Sequence, residues 1–291
     1  FISVPLALGT VWALVVYGDY KRLEKIFLLL SFLYVAYIIT AVMAHPNWPL
    51  AGHAMVHLPP MHELRNHDYL YLAVGIIGAT IAPWQQFYLQ ASVVDKGARS
   101  EHLKYSQADA IVGSLFSVVI AGFIVIACAA TIFAAKGPMQ ISSAAEAAQS
   151  LRPLGGQYAF ALFSVGLLNA SLFAASILPL STAYTVCEAL GFESGLNKRF
   201  KDAPEFYWLY TALLVLGAAI ILTPHFPLIR VAVLSQVLNG ILLPFVLVFM
   251  LLLVNKSSLM QQHVNSRSYN IFAWGLTAAI IAITAFMLLM H

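Results

Sequence analysis

Charged side chains are scarce in this sequence. Asp, Glu, Lys and Arg together make up 9% of its 291 residues, while 61% of the residues are hydrophobic. Soluble domains carry roughly 25% charged residues, so this composition excludes a water-exposed surface over most of the chain. A bilayer is the solvent that such a chain requires, and helices satisfy their own backbone hydrogen bonds in lipid. We therefore expect an all-α membrane protein.

Cysteine is almost absent as well. The two cysteines, Cys128 and Cys187, both lie in apolar runs, which argues against a disulfide framework. The net charge of +3 predicts no nucleic-acid partner, and no pattern indicates an obligate protein partner. The sequence opens at Phe1 within an apolar run and lacks the basic segment and cleavage site of a signal peptide. We expect it to be a fragment, or the carboxy-terminal part of a longer protein.

Long hydrophobic runs fill most of the chain, and a run needs about 20 residues to cross a bilayer. Eight transmembrane segments are predicted, at approximately 2–18, 26–44, 69–94, 105–135, 156–189, 206–223, 226–254 and 270–290. The segments at 105–135 and 156–189 exceed one span, so these helices are expected to tilt or to extend beyond the membrane.

Basic residues are concentrated in alternate loops between these segments. Eleven of the fifteen lie in four loops, as Lys21, Arg22, Lys25, Lys96, Arg99, Lys104, Lys198, Arg199, Lys201, Lys256 and Arg267. The opposite loops hold Arg65, Lys136 and Arg152, and Arg230 lies within a segment. By the positive-inside rule the first set is cytoplasmic, which predicts a multi-pass protein with its carboxy terminus outside.

The loop at 45–68 is rich in proline and histidine. Its histidines are His45, His53, His57, His62 and His67. The i, i+4 spacing of His53 and His57 would place both on one face of a helix, as in some metal sites. However, the prolines argue against one continuous helix, and no carboxylate or cysteine completes a ligand set. A solvated loop is the simpler interpretation, and a membrane-bound metalloenzyme that uses these histidines is the alternative.

A proline lies in the middle of the third segment. Pro83 removes a backbone donor and clashes with the carbonyl of Ala79, so the helix is expected to unwind near 79–82. In lipid, carbonyls without helical partners are tolerated only when they are buried in protein or line a hydrated cavity. Clustered oxygen atoms suit a hard cation, and discontinuous helices form midplane ion sites in transporters. One segment unwound at mid-membrane therefore predicts half of a cation site.

Three amide side chains follow this proline. They are Gln85, Gln86 and Gln90, and the last two share a face at i, i+4. An ordinary proline kink is the alternative interpretation, but a kink alone requires no amides. Polar groups within a membrane are costly and mark ion or substrate paths.

These stretches resemble the NRAMP family of divalent-metal transporters over essentially the whole chain. The matching stretches are Tyr17–Lys25, Ala79–Pro83, Val186–Phe192 and Ser235–Val237. The resemblance implies a leucine-transporter-type (APC superfamily) inverted-repeat fold, of which the eight segments are helices four to eleven. It also implies a single transmembrane transporter domain over residues 1–291, with the second repeat at about 69–254. The charged metal ligand on the family's first helix would precede this chain.

The sequence departs from the family at the broken helix, which usually reads Ala-x-x-Met-Pro-His with a second histidine five or six residues on. By this match Ala79 supplies its carbonyl to the metal. Ala82 stands in the methionine position, Trp84 in the first histidine position and Gln90 near the second. A thioether selects transition metals, whereas Mg²⁺ binds oxygen and keeps several waters. We therefore expect Mg²⁺ transport by alternating access, with Mn²⁺ also accepted.

The resemblance also assigns a glutamine of the seventh segment, Gln236, to the site. Asn239 shares its helical face. It is either a neighbour in the site or a residue that forms a hydrogen bond between helices. The predicted metal residues are Ala79, Ala82, Gln86 and Gln236, and the predicted lining residues are Thr80, Pro83, Trp84, Gln85, Gln90 and Asn239. The metal is expected as transported substrate, with no cofactor, in a bacterial inner membrane.

The family's two histidine positions, where this sequence has Trp84 and Gln90, bear on proton coupling. Histidine is a natural proton carrier near neutral pH. Segment 206–223 also lacks charged residues, so weak or absent coupling is expected. The alternatives of the same fold are a proton-coupled manganese or iron importer, which would predict a methionine at position 82, and an amino-acid or organic-cation carrier.

Overall fold

The structure is a computed structural model that describes residues 3–18, 20–57, 59–134, 137, 143–150, 152–224 and 226–290. Lys136 lies outside the described residues, as does the side chain of Arg152, so two basic residues of the loops predicted to lie outside are not placed. Within the described part of the chain every regular element is helical, as the composition predicts.

The helices are α1 (Ser3–Tyr17), α2 (Tyr20–Ser31), α3 (Val35–Met43), α4 (Trp48–Val56), α5 (Met61–Leu64), α6 (His67–Thr80), α7 (Pro83–Asp95), α8 (Leu103–Cys128), α9 (Ala144–Ser150), α10 (Arg152–Leu190), α11 (Pro204–Leu222), α12 (Leu228–Val254), α13 (Ser257–Met260) and α14 (Arg267–Leu289). A 3₁₀ turn at Phe32–Tyr34 joins α2 to α3, and a π-turn at Ala129–Phe133 continues α8.

Six helical stretches in the described residues are long and apolar enough to cross a membrane. They are Leu23–Met43, Leu103–Phe133, Phe160–Leu190, Pro204–Leu222, Leu228–Val254 and Arg267–Leu289. The other two predicted segments differ: α1 has 15 residues, and the third segment is divided into α6 and α7, of 14 and 13 residues. Six of the eight predicted segments are thus present as full spans, one is short and one is broken, so the count of eight segments stays a prediction.

The longest helix exceeds the bilayer, in line with the expectation from its sequence. Helix α10 has 39 residues, which at the rise of an α-helix corresponds to about 58 Å against a hydrocarbon core of about 30 Å. Pro179 lies inside it. Helix α3 packs on it through Tyr37, whose ring lies so close to Gly166 that an added Cβ would come within 2.6 Å of the Tyr37 Cζ.

The chain forms two compact units. The first comprises Phe1–Met55 and Phe87–Ile229, and the second comprises Val56–Gln86 and Arg230–His291. The largest buried cluster of the first unit includes aromatic residues of α10 and α11, namely Tyr184, Phe206, Tyr207 and Tyr210. In the second unit α6 packs against α12 and α14, with Leu70, Val74, Val237 and Met287 buried between them. The single domain and the repeat over about 69–254 stay predictions.

The histidine-rich loop does not form one continuous helix, as its prolines predict. Helix α4 ends at Val56, so His53 lies in its last turn and His57 lies beyond it. Helix α4 therefore does not extend through both histidines. No group of three His, Cys, Asp or Glu side chains in the described ranges is placed to hold a metal ion.

Candidate cation site

The break in the third segment is the starting point of the site. Helix α6 ends at Thr80, Ile81 has φ −123° and ψ 66°, and Pro83 is the first residue of α7. Proline is well suited to a first helical position, where its missing N–H costs nothing, and it keeps the preceding Ala82 out of the helical conformation. The unwound part is shorter than the predicted 79–82, because the Ile81 N–H still donates to the Ile77 carbonyl at 2.9 Å.

The break leaves the carbonyl of Ala79 without a hydrogen-bond donor in the helix. The residue four positions later is Pro83, which has no N–H to donate, so this carbonyl lacks its helical hydrogen bond. Ala79 and Thr80 are both exposed. The Thr80 hydroxyl donates to the Ile76 carbonyl at 2.8 Å, which leaves the lone pairs of its oxygen able to accept.

Ala82 lies in a different environment from Ala79. Its methyl group is packed, with 2% of the residue exposed. Its carbonyl accepts the N–H of Gln85 at 3.0 Å and so closes the first turn of α7. The Ala82 methyl group is therefore part of the packing, and its carbonyl is engaged within α7.

Helices α6 and α12 cross within the second unit at two glycines. A Cβ on Gly78 would overlap the carbonyl oxygen of Gln236 and would come within 2.8 Å of the Gly240 Cα. A Cβ on Gly240 would in turn come within 2.6 Å of Val74 Cγ1. Small residues allow backbones in a membrane to approach this closely. The crossing thus brings Gly78, the residue before Ala79, directly against the turn of α12 that begins at Gln236.

Two amides stand at this turn of α12. Asn239 Nδ2 donates to Gln236 Oε1 at 3.2 Å, and both side chains are half-buried. The pair leaves Asn239 Oδ1 and one lone pair of Gln236 Oε1 as acceptors. The structure therefore brings two of the predicted residues, Ala79 and Gln236, to the same helix crossing.

The remaining predicted residues lie along α7. Trp84, Gln85 and Gln86 are half-buried in its first turn, and Gln90, one turn beyond Gln86, is exposed. The boundary between the two compact units falls between Gln86 and Phe87, so Gln90 belongs to the first unit.

Gly240 also fixes this arrangement, but it is not among the residues predicted from the sequence. A signal was present: Gly240 lies four residues after Gln236 and so shares its helical face, and a small residue there indicates a close helix contact. Identifying its partner required the tertiary structure, since Gly78 is 162 positions away in the numbering.

The six apolar helices and the broken segment define an integral, multi-pass membrane protein. The family described as "Natural resistance-associated macrophage protein-like" matches residues 1–290, and the chain belongs to this family. The resemblance stated from the sequence motifs is therefore confirmed.

Curated relatives carry the name "Divalent metal cation transporter MntH". The protein of Ralstonia nicotianae is 29% identical, with 96% of this chain and 65% of the relative covered. Those of Clostridium acetobutylicum and Deinococcus radiodurans are each 28% identical, with 87% of this chain and 56% of the relative covered. The chain thus spans between 56 and 65% of the length of these relatives.

Proposed function

We propose that the full-length protein moves divalent cations across the membrane by alternating access around residues 79–86, with Mg²⁺ as substrate and Mn²⁺ also accepted. The observation that carries this proposal is the break after α6. It leaves the exposed Ala79 carbonyl without a helical donor, one residue from the point where α6 meets the turn of Gln236. Oxygen atoms gathered in this way suit a hard cation, which is the substrate and not a cofactor.

The ligand chemistry of these helices favours Mg²⁺. No Met, His or Cys occurs from residue 68 to residue 95, nor from residue 228 to residue 249. Oxygen atoms of carbonyl, amide and hydroxyl groups are therefore the donors that residues 69–94 and residues 228–249 can offer. Such donors suit Mg²⁺, Ca²⁺ and Mn²⁺, whereas thioether and imidazole groups favour later transition metals.

Weak or absent proton coupling belongs to the same proposal. No Asp, Glu, Lys, Arg or His occurs from residue 69 to residue 94 or from residue 231 to residue 255. These parts of the site thus hold no side chain that exchanges protons near neutral pH. The membrane potential can drive entry instead, since a divalent cation gains about 4.6 kcal/mol per 100 mV.

Uptake by proteoliposomes tests this function. The full-length protein is reconstituted with a pH-sensing dye inside, and Mg²⁺ and Mn²⁺ are added outside under an imposed potential. We expect Mg²⁺ uptake that follows the potential without acidification of the lumen. Uptake of neither metal above that of protein-free vesicles would contradict the proposal.

A proton-coupled Mn²⁺ or Fe²⁺ importer is the second candidate. It is favoured by the name of the relatives, "Divalent metal cation transporter MntH". The same assay separates the two candidates, because this importer would admit Mn²⁺ or Fe²⁺ but not Mg²⁺, and the lumen would acidify in step with the metal.

The proposed location is a bacterial plasma membrane, with the carboxy terminus outside. The relatives come from bacteria. Within the first unit, Lys96 Nζ lies 2.8 Å from Glu24 Oε1, and the Leu196 N–H donates to Asp95 Oδ2 at 3.1 Å. These contacts join three of the basic loops, which supports their common side. Reporter fusions at the carboxy terminus test the orientation: alkaline phosphatase should be active there and a fluorescent protein dark.

A further inference from the structure

Asp95, the last residue of α7, lies at the centre of a hydrogen-bond network in the first unit. Its Oδ2 accepts the hydroxyl of Tyr184 on α10 and the N–H of Leu196 at 3.1 Å. The Leu196 N–H also lies 2.9 Å from the Tyr184 hydroxyl oxygen. The side-chain amide of Asn197 donates to the Asp95 carbonyl at 3.1 Å. One residue thus joins the end of α7 to α10 and to the loop that follows α10.

The loop after α10 leaves room for the Asp95 carboxylate at Gly195. Gly195 has φ +140°, a conformation that side chains rarely adopt, and a Cβ there would lie 3.3 Å from Asp95 Oδ1. Lys96, the residue after the end of α7, forms an ion pair with Glu24. The end of α7 is therefore fixed from two directions.

The network also determines which face of α7 is packed. Ala91, one turn before Asp95, is 2% exposed, and the Tyr88 ring lies 6.0 Å from the Tyr184 ring. These residues share a face with Asp95. Gln90 precedes Asp95 by five positions, which at about 100° per residue places it about 140° away around the helix axis. The exposed Gln90 therefore stands on the side of α7 away from the face that Asp95 anchors.

We propose that Asp95 is a positioning residue: it fixes the rotation of residues 87–95 of α7 about the helix axis and so sets the direction of the face that carries Gln90. The importance of this face for transport rests on the proposed function, whereas the control of rotation does not. Tyr184 and Leu196 supply the donors that hold the carboxylate.

The test compares two tyrosines whose hydroxyl groups donate to different acceptors. Tyr184→Phe removes the donor to Asp95 and keeps the ring. Tyr207→Phe is the matched control, because its hydroxyl donates at 2.8 Å to the Lys198 carbonyl in the same loop and not to Asp95. Rotation of α7 is measured in the full-length protein as the rate at which a polar thiol reagent modifies Gln90→Cys, with Cys128 and Cys187 replaced by alanine. Mg²⁺ and Mn²⁺ uptake is measured without these cysteine changes.

We expect Tyr184→Phe to change the modification rate and to slow uptake, each by about ten-fold or more, the factor expected for one lost hydrogen bond to a carboxylate. Tyr207→Phe should change neither. Equal modification rates in the two variants would overturn the proposal, as would a changed rate with unchanged uptake. If the parent protein takes up no metal while Tyr184→Phe still alters modification, the control of α7 rotation stands and the proposed transport function fails.

A second pair of variants keeps the test decisive if Tyr184→Phe does not fold. Asp95→Asn retains an acceptor oxygen for Tyr184 and Leu196, whereas Asp95→Ala retains none. The modification rate in Asp95→Asn should lie between those of the parent and Asp95→Ala. A parental rate in Asp95→Ala would overturn the proposal.

Discussion

Gly78 and Gly240 cross with their backbones in contact, so that neither position has room for a side chain. The first lies two residues before the end of α6, and the second lies one turn after Gln236 on α12. This contact within the second unit brings Gly78, the residue before Ala79, against the turn of α12 that begins at Gln236.

Substitution of Gly78 by alanine tests the crossing. The new Cβ would overlap backbone atoms of Gln236 and Gly240, which cannot rotate away as a side chain can. We expect a loss of about 3 kcal/mol or more in the free energy of unfolding, the upper range for overpacked sites, and no metal uptake. Thermal unfolding in detergent and vesicle uptake measure the two effects.

The control is Gly275→Ala on α14, in the same unit, where nothing lies within 4 Å of the added Cβ. It should be neutral or more stable by up to about 1 kcal/mol, since alanine is the better helix former. If both variants lose stability equally, the glycine crossing is not the cause.

Selectivity is tested at Ala82, which stands where the family has a methionine. Ala82→Met restores a thioether, and Ala82→Leu adds a similar volume without sulfur. Because Ala82 is 2% exposed, both should slow uptake through crowding. We expect the ratio of Mn²⁺ to Mg²⁺ uptake to rise in the first variant and to stay at its parental value in the second. A common rise in both variants would assign the change to volume.

The amide pair on α12 provides a test of cation affinity. Gln236→Leu removes the amide, and apparent Mg²⁺ affinity should fall about ten-fold, because hydrogen bonds and dipoles directed at a charge are each worth about 1.5 kcal/mol or more. Asn239→Leu should have a smaller effect if Asn239 acts mainly by holding Gln236 Oε1 at 3.2 Å. Ser235→Ala, on the exposed side of the helix, is the control and should leave the concentration dependence of uptake unchanged.

Gly195 provides a stability prediction that is independent of transport. Gly195→Ala combines a strained φ of +140° with a contact of 3.3 Å to the Asp95 carboxylate. Gly97→Ala has a milder strain, at φ +65°, and no atom within 4 Å. We expect a cost of about 1 kcal/mol at Gly97 and at least about 2 kcal/mol at Gly195. Equal shifts in thermal unfolding would mean that the Asp95 contact adds nothing.

Sequence reasoning identified the broken helix correctly and its extent less well. The effect of Pro83 is local, since it removes an N–H and constrains Ala82 in any surroundings. The predicted unwinding of Ala79 and Thr80 did not occur, because the hydrogen bond from Ile81 to Ile77 keeps the last turn of α6 closed. The count of eight segments stays a prediction, because six helical stretches of the described residues are long and apolar enough to span a membrane and the other two segments are short or divided.

The sequence by itself determined that this chain is a helical membrane protein, that its third apolar segment is broken at a proline, and that the break lacks sulfur and imidazole ligands. These properties follow from composition and from the chemistry of single residues. Only the tertiary structure decided that Gly78 meets Gly240 and that Asp95 meets Tyr184 and Leu196. Such pairs lie about 90 or more positions apart in the chain, and their contact depends on how whole helices pack, which no local pattern specifies.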